Sequence, residues 1–221
     1  MRHSKTLDIS LYLVASRGNR SDASFLEILT NAIKGGVSIV QLREKHLTTR
    51  EFYMLACKVK ELCAHFQIPL LINDRIDIAL ACRADGVHIG HSDLPVKVAR
   101  DILGEDKILG FSVHTKEALK ETQGADYLGV GAVFATPSKQ DSVVIGIQGL
   151  QEIVALANLP VVAIGGITTD VLPQLSGIAL SGIAVVRAIM DSDEVIASAK
   201  ALKNGFKSIV SNQAQYCDTT M

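Results

Sequence analysis

Short apolar runs rich in β-branched residues alternate along this chain with longer stretches that turn apolar every three or four positions. The runs are Leu11–Ala15, Val37–Leu42, Pro69–Ile72, Gly86–Ile89, Ile108–Phe111, Tyr127–Gly131, Val161–Ile164 and Gly182–Val186. They read as strands that are apolar on both faces, the pattern of a sheet covered on each side. The stretches between them read as helices. Residues 23–35 place Phe25, Leu26, Leu29 and Ile33 on one face and stop at Gly35-Gly36. Thr48 and Glu51 have capping-box spacing at the head of a helix that reaches about Phe66. Further helices are predicted from Asp74 to about Cys82, Leu94 to Leu103, Thr115 to Gln123, Ile147 to Ala157, Asp170 to Leu175 and Asp193 to Lys207.

Eight strands alternating with eight helices predict an α/β fold, a single-domain (β/α)8 TIM barrel with a closed parallel sheet. An open doubly wound sheet has the same alternation, because periodicity does not record closure. The chain of 221 residues is long enough for one well-buried core, and no Pro- or Ser-rich linker divides it. Residues 1–210 are therefore read as one domain, and the polar tail 211–221 is expected to fray. One connection is long and irregular, from about Val133 to Gly146, and it carries Thr136-Pro137-Ser138-Lys139-Gln140-Asp141.

In such a barrel, chemistry sits at the carboxyl ends of the strands. Gln41, Arg43 and Lys45 leave one face of the second strand at alternate positions. Asn73, Asp74, Asp93, Ser112, Lys139 and Gly165-Gly166 fall at the ends of later strands. A cationic strand end facing carboxylate-bearing ones suits an anion and a divalent metal. Asp74 and Asp93 come from neighbouring strands and suit Mg²⁺, which prefers oxygen ligands and keeps part of its hydration. Each carboxylate taken alone serves equally well as the cap of the helix that follows it. Gly165-Gly166 fits the phosphate site that recurs in these barrels, although one glycine pair also makes an ordinary tight turn. His88 and His91 are read as structural, and Gly129-x-Gly131 lacks the rest of a dinucleotide fingerprint.

Composition narrows the partners. A net charge of -1 argues against a broad nucleic-acid surface or a polybasic membrane face, so anion binding is local and small. No apolar run approaches the ~20 residues of a membrane helix. Cys57, Cys63, Cys82 and Cys217 have no CxxC spacing, which points to idle thiols in a reducing cytosol.

Six stretches in fixed order carry a family resemblance. They are Gly35-Gly36-Val37 through Gln41-Leu42-Arg43-Glu44-Lys45; Ile72-Asn73-Asp74-Arg75-Ile76-Asp77-Ile78-Ala79; Ala84-Asp85-Gly86-Val87-His88-Ile89-Gly90 with Asp93; Gly110-Phe111-Ser112; Thr136-Pro137-Ser138-Lys139; and Ala163-Ile164-Gly165-Gly166-Ile167-Thr168. Over about residues 11–205 the chain resembles the thiamine-phosphate synthase (thiamine-phosphate pyrophosphorylase) family. The resemblance implies a cytoplasmic homodimeric barrel enzyme that joins hydroxymethylpyrimidine diphosphate to a thiazole phosphate and releases pyrophosphate. It implies that Gln41, Arg43, Lys45, Asn73 and Lys139 hold the pyrimidine diphosphate, that Asp74 and Asp93 bind Mg²⁺, and that Ser112 lies near the reacting centre. Thr136, Ser138, Gly165, Gly166, Val186 and Arg187 would then surround the thiazole phosphate. Arg187 departs from the family's phosphate-binding Ser, Ser138 from its usual Thr, and Ala135 from a frequent Pro. A thiazole tautomerase on the same barrel and a non-catalytic thiamine-phosphate-binding paralogue are the alternatives.

Overall fold

Leu11 of the first strand pairs with Ile183 of the last, and this register closes eight parallel strands into a barrel. The computed structural model describes residues 7–136 and 143–217. Strands β1 (Leu11–Ala15), β2 (Ile39–Leu42), β3 (Leu70–Asn73), β4 (Gly86–Ile89), β5 (Ile108–Val113), β6 (Tyr127–Val130), β7 (Val161–Ile164) and β8 (Gly182–Val185) follow one another round it in chain order. Closure rules out the open doubly wound sheet.

Side chains alternate along each strand. Tyr12, Val14, Ile39, Leu71, Tyr127, Val162 and Ala184 form one buried cluster, which fills the barrel. Their neighbours Leu11, Leu13, Val40, Leu42, Leu70, Ile72 and Ile183 belong to a second cluster packed under the helices. Burying each such aliphatic side chain contributes roughly 1.5–3 kcal/mol, and two buried faces explain runs without polar alternation.

The helices begin where local chemistry starts them. Ser21 accepts a hydrogen bond from the Ser24 amide at 3.2 Å and caps α1 (Asp22–Lys34). Thr48 and Glu51 form the complete capping box of α2 (Thr49–His65). Then come α3 (Ile76–Ala81), α4 (Val96–Leu103), α5 (Gly146–Leu156), a short α6 (Arg187–Met190) and α7 (Val195–Cys217).

Two expected helices are 3-10 turns instead. After β5 the turn Glu117–Glu121 contains no buried residue, so little packing exists to support a longer helix. After β7 the turn Leu172–Leu175 buries its first and last residues, a spacing that matches three residues per turn. The sequence pattern did not anticipate α6. The last helix also runs on to Cys217, past the end near Lys207 that the pattern suggested, with Phe206 and Ile209 buried along it.

Opposite the carboxyl ends of the strands, two aspartates stitch strands at their starts. Asp85 accepts from the Leu70 amide at 2.8 Å and pairs with Lys60; Asp126 accepts from the Leu109 amide at 2.8 Å and pairs with Arg100. Arg100 is 8% exposed and also donates to the carbonyls of Gly104, Lys107 and Gly124. These contacts hold the barrel and leave the other rim free for chemistry.

Candidate functional site

At the carboxyl ends of the strands lies a cavity of about 610 Å³, within the range of small-molecule sites. Three residues at and after the end of β2 enter it from one side. Gln41 is buried at 3% exposure and its amide nitrogen donates to Tyr12 Oη at 2.6 Å. Arg43 and Lys45, beyond the strand, line the same cavity. Glu44 turns away between them and accepts hydrogen bonds from the Ser16 hydroxyl and the Arg17 amide. The period-two alternation therefore continues past the end of the regular strand.

β3 ends with Asn73, and Asp74 follows in a left-handed conformation at φ 58. A non-glycine residue there carries strain, which aspartate tolerates better than most. The conformation brings the Asp74 amide to the His88 carbonyl at 2.9 Å and its carboxylate to the Lys45 ammonium. Asp93, after β4, accepts from the Gly90 amide at 2.7 Å and so ties off its own loop. Neither carboxylate caps a helix: α3 follows Arg75 without a side-chain cap, and α4 follows Pro95 in the same way. Burial pushes the Asp93 carboxyl above its usual range, and repulsion from and hydrogen bonding to Asp74 push it further. Two carboxylates so close, with the charge of one penalised, form a site that a hard cation would relieve.

Among the described residues, no group of three or more His, Cys, Asp or Glu gathers to hold a metal. An ion on Asp74 and Asp93 would therefore keep several waters. That is the habit of Mg²⁺, and the oxygen-only donor pair fits it.

Deeper in the barrel, polar side chains from five strands join in a row. From Gln41 the hydrogen bonds pass to Tyr12 Oη, to Tyr127 Oη at 2.8 Å, to His88 Nδ1 at 2.8 Å, and from His88 Nε2 to Ser112 Oγ at 2.9 Å. Burial holds the His88 imidazole neutral, with its pKa lowered to about 4, and raises both tyrosine hydroxyls. Nothing in the spacing of apolar and polar positions sets His88 apart from a structural histidine or marks Tyr12 and Tyr127 as part of the site. A usable signal lay in the strand glycines, which mark close approach. A Cβ on Gly110 would lie 2.3 Å from Tyr127 Oη and 2.4 Å from His88 Nδ1, and one on Gly129 would lie 2.9 Å from His88 Cε1.

On the far wall, the loops after β6 and β7 are locked together. Val133 donates to the Ile164 carbonyl at 2.9 Å and Phe134 to the Gly165 carbonyl at 3.0 Å. Gly165 and Gly166 adopt φ 102 and 66, and a Cβ on either would strike Ala132 Cα at 2.6 Å or the Ala135 carbonyl at 2.7 Å. Thr136, Gly165, Gly166, Val186 and Arg187 line this side. The Arg187 guanidinium is taken by Asp191 at 2.8 Å, and Asp191 also pairs with Arg20.

Of the residues expected at the site, Gln41, Arg43, Lys45, Asn73, Asp74, Asp93, Ser112, Thr136, Gly165, Gly166, Val186 and Arg187 border this one cavity. Ser138 and Lys139 lie outside the described residues.

Residues 11–189 match the family described as thiamine monophosphate synthase. A thiamine-phosphate synthase of Campylobacter jejuni (strain 81-176) is 57% identical over 197 residues, covering 89% of this chain and 93% of its own. One from Methanobrevibacter smithii is 51% identical over 200 residues, covering 89% and 95%. The solved thiamine phosphate pyrophosphorylase of Pyrococcus furiosus superposes with a TM-score of 0.84 at 35% identity, covering 92% of this chain and 98% of that one.

Proposed function

Because the chain belongs to the thiamine monophosphate synthase family, we propose that its strand-end cavity joins a pyrimidine diphosphate to a thiazole phosphate. The chain is a thiamine-phosphate synthase, a transferase of thiamine biosynthesis. The observation that carries the detailed reading is the Lys45–Asp74 pair with Asp93 beside it, at the mouth of a cavity also lined by Arg43.

In the reaction, the bond between the pyrimidine methylene carbon and the bridging diphosphate oxygen breaks, and its electron pair leaves with pyrophosphate. The methylene is left as a pyrimidine cation. The thiazole ring nitrogen supplies its lone pair to form the new carbon–nitrogen bond, giving thiamine phosphate. No proton has to be removed, so no general base is needed. Asp74 and Asp93 would hold Mg²⁺, which when bound would supply positive charge to the leaving oxygens. Arg43 and Lys45 place fixed cations beside the same oxygens, where charge develops only in the transition state. Gln41 and Asn73 hold the pyrimidine, and Lys139 adds a third cation for the diphosphate. Ser112 lies at the reacting centre. Thr136, Ser138, Gly165, Gly166 and the backbone at Val186 and Arg187 take the thiazole phosphate.

A tautomerase has no diphosphate to stabilise, so it would not need Asp74 and Asp93 together with Gln41, Arg43 and Lys45, and their joint presence in one cavity favours the synthase. Charged phosphate esters do not cross membranes unaided, which supports work in the cytoplasm. A homodimer is supported by the exposed apolar side chains of Leu80, Leu94, Val98 and Ile102, on and beside the neighbouring helices α3 and α4.

The test is thiamine phosphate formation from both purified substrates, with Mg²⁺ and with EDTA. Product with Mg²⁺ and little in EDTA is expected. Equal rates would remove the metal, and no product under either condition would overturn the synthase reading.

A further inference from the structure

Ser112 Oγ lies 2.9 Å from His88 Nε2, a spacing at which a hydrolase would hold a serine against its base. Which atom owns the proton between them is decided at the other end of the row. The Gln41 amide nitrogen faces Tyr12 Oη at 2.6 Å, and an amide nitrogen only donates. Tyr12 therefore turns its single proton to Tyr127, and Tyr127 turns its own to His88 Nδ1. With Nδ1 accepting, the neutral ring carries its proton on Nε2 and donates it to Ser112.

We propose that this chain of hydrogen bonds fixes Ser112 as a donor toward the substrate and bars it from acting as a nucleophile. Gln41, Tyr12, Tyr127 and His88 act on Ser112 in series, and the latter three are positioning residues. His88 has no free lone pair with which to take the serine proton. Having accepted from His88, Ser112 keeps its own O–H for an acceptor in the cavity. The inference rests on the synthase reading for the identity of that acceptor, an oxygen of the leaving diphosphate.

The surroundings hold this polarity. Both tyrosines are at most 2% exposed and burial keeps them protonated, so neither becomes a phenolate that would accept from both sides. A ring protonated on both nitrogens would set its Nδ1–H against the Tyr127 hydroxyl, whose own proton the row already turns to that nitrogen. Gly110 and Gly129 leave the space in which the phenol and imidazole meet. Reversing the row would require the Gln41 carbonyl oxygen in place of its nitrogen, and every proton would then point the other way.

The proton positions are readable without any substrate. A two-bond ¹H–¹⁵N spectrum of the full-length wild type near pH 7 is expected to show His88 protonated on Nε2 and bare on Nδ1. The opposite tautomer overturns the proposal, whatever the enzyme's activity. In turnover, Tyr127→Phe removes the proton offered to Nδ1 and should lower kcat about two- to tenfold, the worth of one hydrogen bond. The KM for the pyrimidine diphosphate should change less than that, because the leaving oxygen gains its charge in the transition state. Since Tyr127 acts through Ser112, Tyr127→Phe should cost nothing further in a Ser112→Ala background. Additive losses, or a change confined to KM, would overturn the positioning role. Covalent labelling of Ser112 by a fluorophosphonate would show it nucleophilic and sink the proposal. Absence of product in wild type would sink the synthase reading instead and leave the tautomer result standing.

Discussion

The Lys45 ammonium and the Asp74 carboxylate, 29 residues apart in the chain, form an ion pair at the cavity rim. Such a pair, nearly half exposed on the lysine side, contributes about 0–1 kcal/mol to stability. Its place beside Asp93 makes it more useful to a ligand than to the fold. Asp74→Ala and Asp93→Ala should each lower Mg²⁺-dependent turnover roughly 100-fold or more, since a metal ion supplies several kcal/mol to developing charge. Thermal melts should fall modestly, because Ala tolerates the left-handed conformation at 74 less well than aspartate and Ala at 93 frees the Gly90 amide, but far less than turnover. A variant that keeps wild-type turnover in Mg²⁺ would remove that residue from the metal site.

Two arginines at the cavity should behave differently. Arg43 lines it directly, and Arg43→Ala should lower kcat/KM roughly 10- to 150-fold, the worth of a charged hydrogen bond of ~1.5–3 kcal/mol. Arg187 is already paired with Asp191 at 2.8 Å, so Arg187→Ser should change the Kd for thiazole phosphate less than about threefold. Titration calorimetry decides the second case, and a loss above tenfold would mean the guanidinium leaves Asp191 for the phosphate.

His88 ties stability to pH. Its folded pKa is about 4, pushed down by burial first, with Asp74 opposing and His114 adding to the shift. The unfolded histidine takes up a proton near pH 6.5, and the folded one does so only near 4. The stability tied to the neutral ring is therefore present in full above pH 6.5 and is lost as pH falls from 6.5 towards 4. The shift corresponds to about 3 kcal/mol. Denaturant unfolding of wild type and His88→Gln between pH 7 and 4 should show a steeper loss in wild type. Parallel curves would contradict the burial of a neutral ring.

At the opposite end of the barrel, Arg100 joins Asp126 and three backbone carbonyls. Arg100→Ala leaves these acceptors short of partners and should cost about 3 kcal/mol or more of unfolding free energy. At a temperature where the variant stays folded, kcat should match wild type. A fall in kcat there would mean that strain passes along the strands to the cavity.

Much of this protein is legible one segment at a time. Runs such as Leu11–Ala15 and Val161–Ile164 are strands because they are short and apolar on both faces. Thr48 starts a helix because its hydroxyl and Glu51 reach local amides. Gln41, Arg43 and Lys45 could be assigned to one side because successive residues of a strand point opposite ways. In each case the partner lies within a few residues, so spacing in the chain is spacing in space. Closure depended instead on Leu11 meeting Ile183, and the row from Gln41 to Ser112 on five strands coming into register. Arg187 turned to Asp191 because a helix formed after β8 that no periodicity announced. Tertiary structure alone decided these points, because a side chain's partner inside a barrel is set by the stagger of neighbouring strands, and stagger leaves no mark on the hydrophobic pattern of any one of them.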